Sequence, residues 1–344
     1  FQAKSRHAHN NSVESDLSTL ASTSTSAPEL YDTDGSTTDL TASQRTDGTD
    51  TVDIAYRIGD ADNSLDTVAV DYRTSSGGSW TLMTNLFGDS GVVDASDSSV
   101  HRAIAWDALT QLGSAVESST YQLRVRARDA QSNADTLAMA TDNLQIDTKW
   151  PTVAAGATIS SGTLLAGALS FDIDAGFTES NPNTTTFSYI LNGGTAVDST
   201  GQANVADPTA KTVDCPALDG DDSVVVYVTH TDDFSHWVSD TSNAYYVTPY
   251  TPAAPTVDNP TATTVDIAVN AHASEVSGLD YAVYETSTGK WVQADGTLNT
   301  TTIWQTIATW GTITVTGLSE PVSDYAFQAK SRHAHNNSVE SDLS

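Results

Sequence analysis

Apolar and polar residues alternate along most of this chain. The runs are short and rich in Val, Ile, Thr and Tyr: TVDIAYRI (51–58), TVAVDYR (67–73), YQLRVRAR (121–128), SVVVYVTH (223–230), TVDIAVN (264–270) and TITVTGL (312–318). A period of two sends successive side chains to opposite faces of a strand, one for a core and one for water. Clusters of Gly, Asp, Asn and Ser separate the runs and supply the turns. Helical periodicity is nearly absent, and WDALTQLGS (106–114) predicts a turn or two of helix. The pattern predicts an all-β chain of antiparallel sandwiches.

Proline-marked connectors divide the strands into three blocks. They are STLASTSTSAPELYDTDG (18–35), IDTKWPTV (146–153) and VTPYTPAAPTV (247–257). The reading is a Ser/Thr-rich linker at 19–29 and three tandem sandwiches at 30–149, 150–250 and 251–344. Pro252 and Pro255 make the last connector a stiff, extended spacer, and with no acid in it that joint is expected to be metal-free.

Residues 1–18 and residues 327–344 are identical, FQAKSRHAHNNSVESDLS, at a spacing of 326 residues. Chance does not produce such a match. Residues 1–18 are read as the closing strands of a preceding copy's third sandwich, and the chain as one period of a longer repeat array. Donation of a strand from one subunit to the next is the alternative.

The third block, with APTVDNPTATTVDIAVN, YAVYETSTGKW and ITVTGLSEPVSDYAFQAKSRHAHNNSVESDLS, resembles a fibronectin type III domain. The resemblance implies that Leu318 and Tyr325 are packing residues, with the Tyr325 hydroxyl tied back to the preceding loop. The first block, through VDIAYRIGDADN, VDYRTSSGGSW and YQLRVRARDA, resembles a related fibronectin-like repeat of bacterial extracellular proteins. The second is similar, more loosely, to bacterial immunoglobulin-like surface repeats. Together they imply immunoglobulin-like tandem repeats of a large extracellular surface or filament protein.

Charge sharpens the picture. There are 44 acids against 14 bases, a net charge of −30. No basic face is expected to neutralise phosphates, so nucleic acid is not an expected partner. No apolar run is long enough for a membrane-spanning helix. One Cys excludes a disulfide framework.

In the first block, Asp60, Asp62 and Asp66 are placed in one loop, Asp129 and Asp135 in another, and Asp32 and Asp34 in the entering linker. An immunoglobulin-like sandwich brings such loops to one end. Clustered carboxylates suit Ca²⁺, which takes six to eight oxygens. The candidate calcium ligands are therefore Asp32, Asp34, Asp60, Asp62, Asp66 and Asp129. The competing reading is that Asp simply favours turns. His333 and His335 read as a polar strand end, and Cys215 as a small buried residue. Trp80, Trp106, Trp237, Trp291, Trp304 and Trp310 read as core, with a sugar-stacking platform as the alternative. Asn10, Asn183, Asn299 and Asn336 head N-glycosylation sequons.

The chain has no GxSxG, HExxH or phosphate-cradling GxxxxGK[ST] motif. The expectation is a non-enzymatic structural repeat of a secreted filament, stalk or surface fibre, with identical copies as partners. The alternatives are the extension region of an adhesin and the spacer domains of a secreted polysaccharide-degrading enzyme.

Overall fold

The computed structural model describes residues 26–35, 40–62, 65–74, 77–139, 144–198, 202–203, 211–275, 278–319 and 324–344. The duplicated segment 1–18, with Asn10, lies outside the described residues. The chain divides into two compact units, Phe1–Lys149 and Trp150–Ser344. It is all-β, built from paired sheets whose strands run antiparallel except where Leu164–Leu165 lies parallel to Tyr245–Thr248.

The first unit holds one pair of sheets. One sheet runs Glu29–Tyr31, Thr51–Gly59, Arg102–Asp107, Leu86–Gly88, with Thr41–Gln44 also paired to Thr51–Gly59. The other runs Ala134–Ala138, Glu117–Arg128, Leu65–Arg73, Thr81–Leu82. Gly91–Asp94 and Leu144–Asp147 add to it through Leu65–Arg73 and Glu117–Arg128. The alternation is what fills the core. Val52, Ile54, Tyr56 and Ile58 face Val68, Val70, Leu123 and Val125 around fully buried Trp106. Ala108–Leu112 is the predicted short helix, capped by the Asp107 carboxylate, which accepts from Thr110 N at 2.9 Å.

The second unit holds two further pairs of sheets, each with its own core. In the first pair, Thr152–Ile159, Ser170–Thr178 and Lys211–Asp214 form a three-stranded sheet. Opposite them, Ser223–Asp232 and Pro182–Leu191 form the spine of a seven-stranded sheet. Phe171, Ile173, Phe187 and Tyr189 pack between the two. In the next pair, Ala253–Asp258, Val265–Asn270 and Thr312–Val315 face Leu298–Asn299, Lys290–Val292, Asp280–Glu285 and Phe327–Arg332. Val265, Ile267, Val283, Trp310 and Ala329 fill that core.

Candidate functional site

The loops of the first sandwich bring three of the six candidate calcium ligands together. Asp60, Asp62 and Asp129 each offer a carboxylate oxygen, and these oxygens lie within 4.8 Å of one another. Asp60 and Asp129 are buried and Asp62 is exposed. The cluster is tied by its own turns: Asp60 Oδ1 accepts from Asp62 N at 3.2 Å and Ser26 Oγ at 3.0 Å. Asp129 accepts from Asn133 N and Nδ2 at 2.7 and 2.6 Å. An open cleft of about 380 Å³ adjoins Asp60, lined by Ser26, Glu29, Tyr31, Ser96 and Ser98.

The other three candidates stand outside this group. Asp32 turns to the Thr41 hydroxyl at 3.1 Å, while its carbonyl accepts from Arg57 Nε at 3.0 Å. Asp34 lies beyond it in the same turn. Asp66 is in the strand Leu65–Arg73, not in a loop, and is fully buried. It shares the parity of Val68 and Val70, so the period of two sends it inward. Asp135 is likewise in a strand, where it accepts from Leu30 N at 2.8 Å.

A second acid-rich place lies where the third sandwich meets the second. The connector is acid-free and its Pro252 and Pro255 are buried, but the acids arrive from loops. Glu275 Oε1 accepts from Gly220 N at 3.1 Å. Burial, then the neighbouring Asp219 carboxyl, push Glu275 up to about 8. It therefore keeps its proton at neutral pH. Gly220 and Gly278 allow the approach. A Cβ on Gly220 would lie 2.8 Å from Pro249 Cα, and one on Gly278 would collide with the Asp221 carboxylate. His333 is no simple strand end. It is fully buried, its Nδ1 accepts from His335 N at 3.0 Å, and its Nε2 donates to the Asp222 carbonyl at 3.1 Å. Ser331 Oγ donates to Tyr250 O at 2.9 Å, and Tyr250 stacks on His272 at 4.3 Å. Sequence reading missed this joint because residues 219–222, 275 and 333 are distant in the chain.

Other candidates fall as follows. Leu318 is buried, and Tyr325 Oη accepts from Ser319 N at 3.0 Å. The Cys215 thiol is half-buried and pushed up by burial. Trp106 and Trp310 are core, whereas Trp237 is 55 % exposed and Trp80, Trp291 and Trp304 are half-buried. The expectation that all six are core is thus corrected. Trp237 lies outside because it stands opposite Thr231, on the parity of Ser223–Asp232 that faces away from the core. Asn183 and Asn299 are exposed and Asn336 is half-buried.

No family model matches this chain, and no curated protein matches it. Solved structures do. A marsupial T cell receptor is 11% identical, over 92% of this chain and 99% of that one, with a TM-score of 0.40. The tetra-tandem repeat in the extending region of a large adhesion protein is 17% identical, over 86% and 70%, at 0.28. A 1.5-MDa bacterial ice-binding adhesin is 15% identical, over 90% and 93%, at 0.32. At such identities and scores these likenesses say nothing of shared function. No helix among the described residues is long and apolar enough to cross a membrane.

Proposed function

We propose that this chain is a load-bearing repeat of an extracellular or cell-surface fibre, with no catalytic role. One observation carries the reading. The 18 residues shared by positions 1–18 and 327–344 are, at 327–344, an integral part of a sandwich. Phe327–Arg332 pairs with Asp280–Glu285, and Phe327 and Ala329 are buried. The segment then folds back, with Ser341 N on Ser331 O at 2.8 Å and Ser344 N on Ala329 O at 2.9 Å. On this reading the duplication, whose copy at 327–344 contains a core strand, would repeat the sandwich at a 326-residue spacing and build an array of like beads.

The joint around Gly220, Glu275 and His333 supports a mechanical role. It holds two beads by side-chain bonds as well as by the peptide link. Stiff connections convert a string of beads into a rod, while a flexible linker would collapse toward a coil. The charge of −30 keeps a long object soluble. Calcium fits the same reading. Asp60, Asp62 and Asp129 would hold the ion, and Ser26 at their edge would tie the incoming segment to both loops. Exposed Asn183 and Asn299 are the positions where sugar would sit on such a surface.

The test is a chain of two consecutive 326-residue periods, imaged by electron microscopy beside the single one. The contour length should double at constant width. A two-period particle no longer than the single one overturns the rod.

A further inference from the structure

One sheet face of the first sandwich runs against the charge of the whole chain. Along Glu117–Arg128, buried Leu123, Val125 and Ala127 alternate with outward Arg124, Arg126 and Arg128, while Gln122, of the same parity, is itself buried. Register with Leu65–Arg73 sets Arg73 opposite Gln122, Asp71 opposite Arg124, Ala69 opposite Arg126 and Thr67 opposite Arg128. Four of the chain's 14 bases therefore share one face. The acids on it are Asp71 at the centre and Asp94 at the edge. Asp71 is already spent: it accepts from Arg124 Nε at 2.7 Å and from Arg126 Nε and Nη2 at 2.6 and 2.9 Å. Trp80 lies between Arg73 and Arg124, each guanidinium 4.4 Å from its ring centroid.

The same face exposes large apolar side chains. Leu82 pairs with Asp71 and is 53 % exposed, and Val92 pairs with Thr67 and is 67 % exposed. Arginine and tryptophan held rigid beside exposed aliphatics is the composition of a protein interface, not of a solvated face. Internal bonds pre-order Arg73, Arg124 and Arg126, so little of their rotamer entropy is lost on docking.

We propose that this arginine face is a lateral docking surface for a second copy of the same chain. Charge complementarity selects the receiving face. In the second sandwich, Asp172, Asp174 and Asp214 are exposed. They lie on one side of the sheet in register, Asp172 opposite Thr212 and Ser170 opposite Asp214. Leu165 and Leu169 beside them are 61 % and 64 % exposed. An open cleft of about 340 Å³ lined by Leu165, Ser170, Phe171 and Asp172 gives an arginine stem an apolar wall and a carboxylate.

The two surfaces differ, so each copy offers one to the next and the contact is open-ended. The arginine face is about four strands wide and roughly 20 Å along Gln122–Arg128, about 400 Å² on strand spacing and rise. That is a small interface, weak for one pair of chains. Repetition along a rod makes it firm by multivalency, and only this last step rests on the proposed fibre function.

Sedimentation velocity on the full chain tests it, with Arg128→Glu and Asp174→Arg. Both side chains are exposed, and an unchanged circular dichroism spectrum and melting temperature will show the fold intact. The wild-type chain should self-associate at low ionic strength and dissociate at about 0.5 M salt. Each variant alone should associate at least about tenfold more weakly, and an equimolar mixture of the two should form the pair again. A chain that is monomeric at every concentration and salt overturns the proposal. So does association untouched by either variant, or a mixture that stays monomeric. Retention on a sulfated polysaccharide matrix without self-association overturns it too, and makes the face a glycan site. Lateral association can fail while the two-period chain is still a rod, so the two readings are separable.

Discussion

The Glu275 carboxyl group rests 3.1 Å from the Gly220 amide, across the meeting of two sandwiches. Glu275 is raised to about 8 in the fold, against an ordinary value of 4.5. A raised acid binds its proton more tightly folded than unfolded. The stability it lends is full below pH 4.5, falls as pH rises, and is gone above about 8. Glu275→Gln should flatten this slope between pH 5 and pH 8, roughly the window of the shift. Thermal midpoints across that range check it. A variant with the wild-type slope removes Glu275 from the account.

Gly278 adopts φ +88° and faces the Asp221 carboxylate with no room for a Cβ. Gly278→Ala should cost about 1–3 kcal/mol, part backbone strain and part collision. Adding Asp221→Ala should recover the collision and leave the strain. Urea melts of the four chains close this cycle, and strict additivity would place the two residues apart.

Asp71 is nearly sealed, with 4 % of its side chain exposed. Burial alone would raise it, but the bonds from Arg126 and Arg124 outweigh burial and hold it below the usual carboxylate range. A depressed carboxyl contributes stability above pH 3.8 that is lost as pH falls through its folded value. Asp71→Asn should cost about 1–3 kcal/mol at pH 7, because two half-exposed guanidiniums lose charge-assisted bonds but regain water. The penalty should shrink on acidification; one that is constant down to pH 2 contradicts the ion-pair origin.

Tyr325 reaches Ser319 N through its hydroxyl at 3.0 Å while its ring packs on the third core. Tyr325→Phe should cost about 1 kcal/mol, the net value of one hydrogen bond. Chemical denaturation reads it. Loss of several kcal/mol would mean the ring itself had moved.

Calcium should raise the midpoint of the Phe1–Lys149 unit, and a chelator should reverse the gain. Asp129→Asn should weaken the response more than Asp34→Asn, since Asp34 stands outside the group formed by Asp60, Asp62 and Asp129. Equal effects of the two, or no response to calcium, would reject this group as the ligand set.

The sequence alone determined the strands. Thr51–Gly59, Ser223–Asp232 and Val265–Asn270 follow their alternation almost residue for residue, because parity decides which side chains meet the core. It also determined the duplication of residues 327–344, which no structure was needed to find. What tertiary structure decided is which acids meet. Asp60 and Asp129 converge although 69 positions apart, while Asp66, six positions from Asp60, turns into the core. Loop position is not periodic, so spacing carries no signal for it. The same holds for Glu275 beside Gly220 and for Arg73 beside Trp80 and Arg124. A chain of net charge −30 shows its acids everywhere in sequence. Only sheet register gathers four of its few arginines on one face.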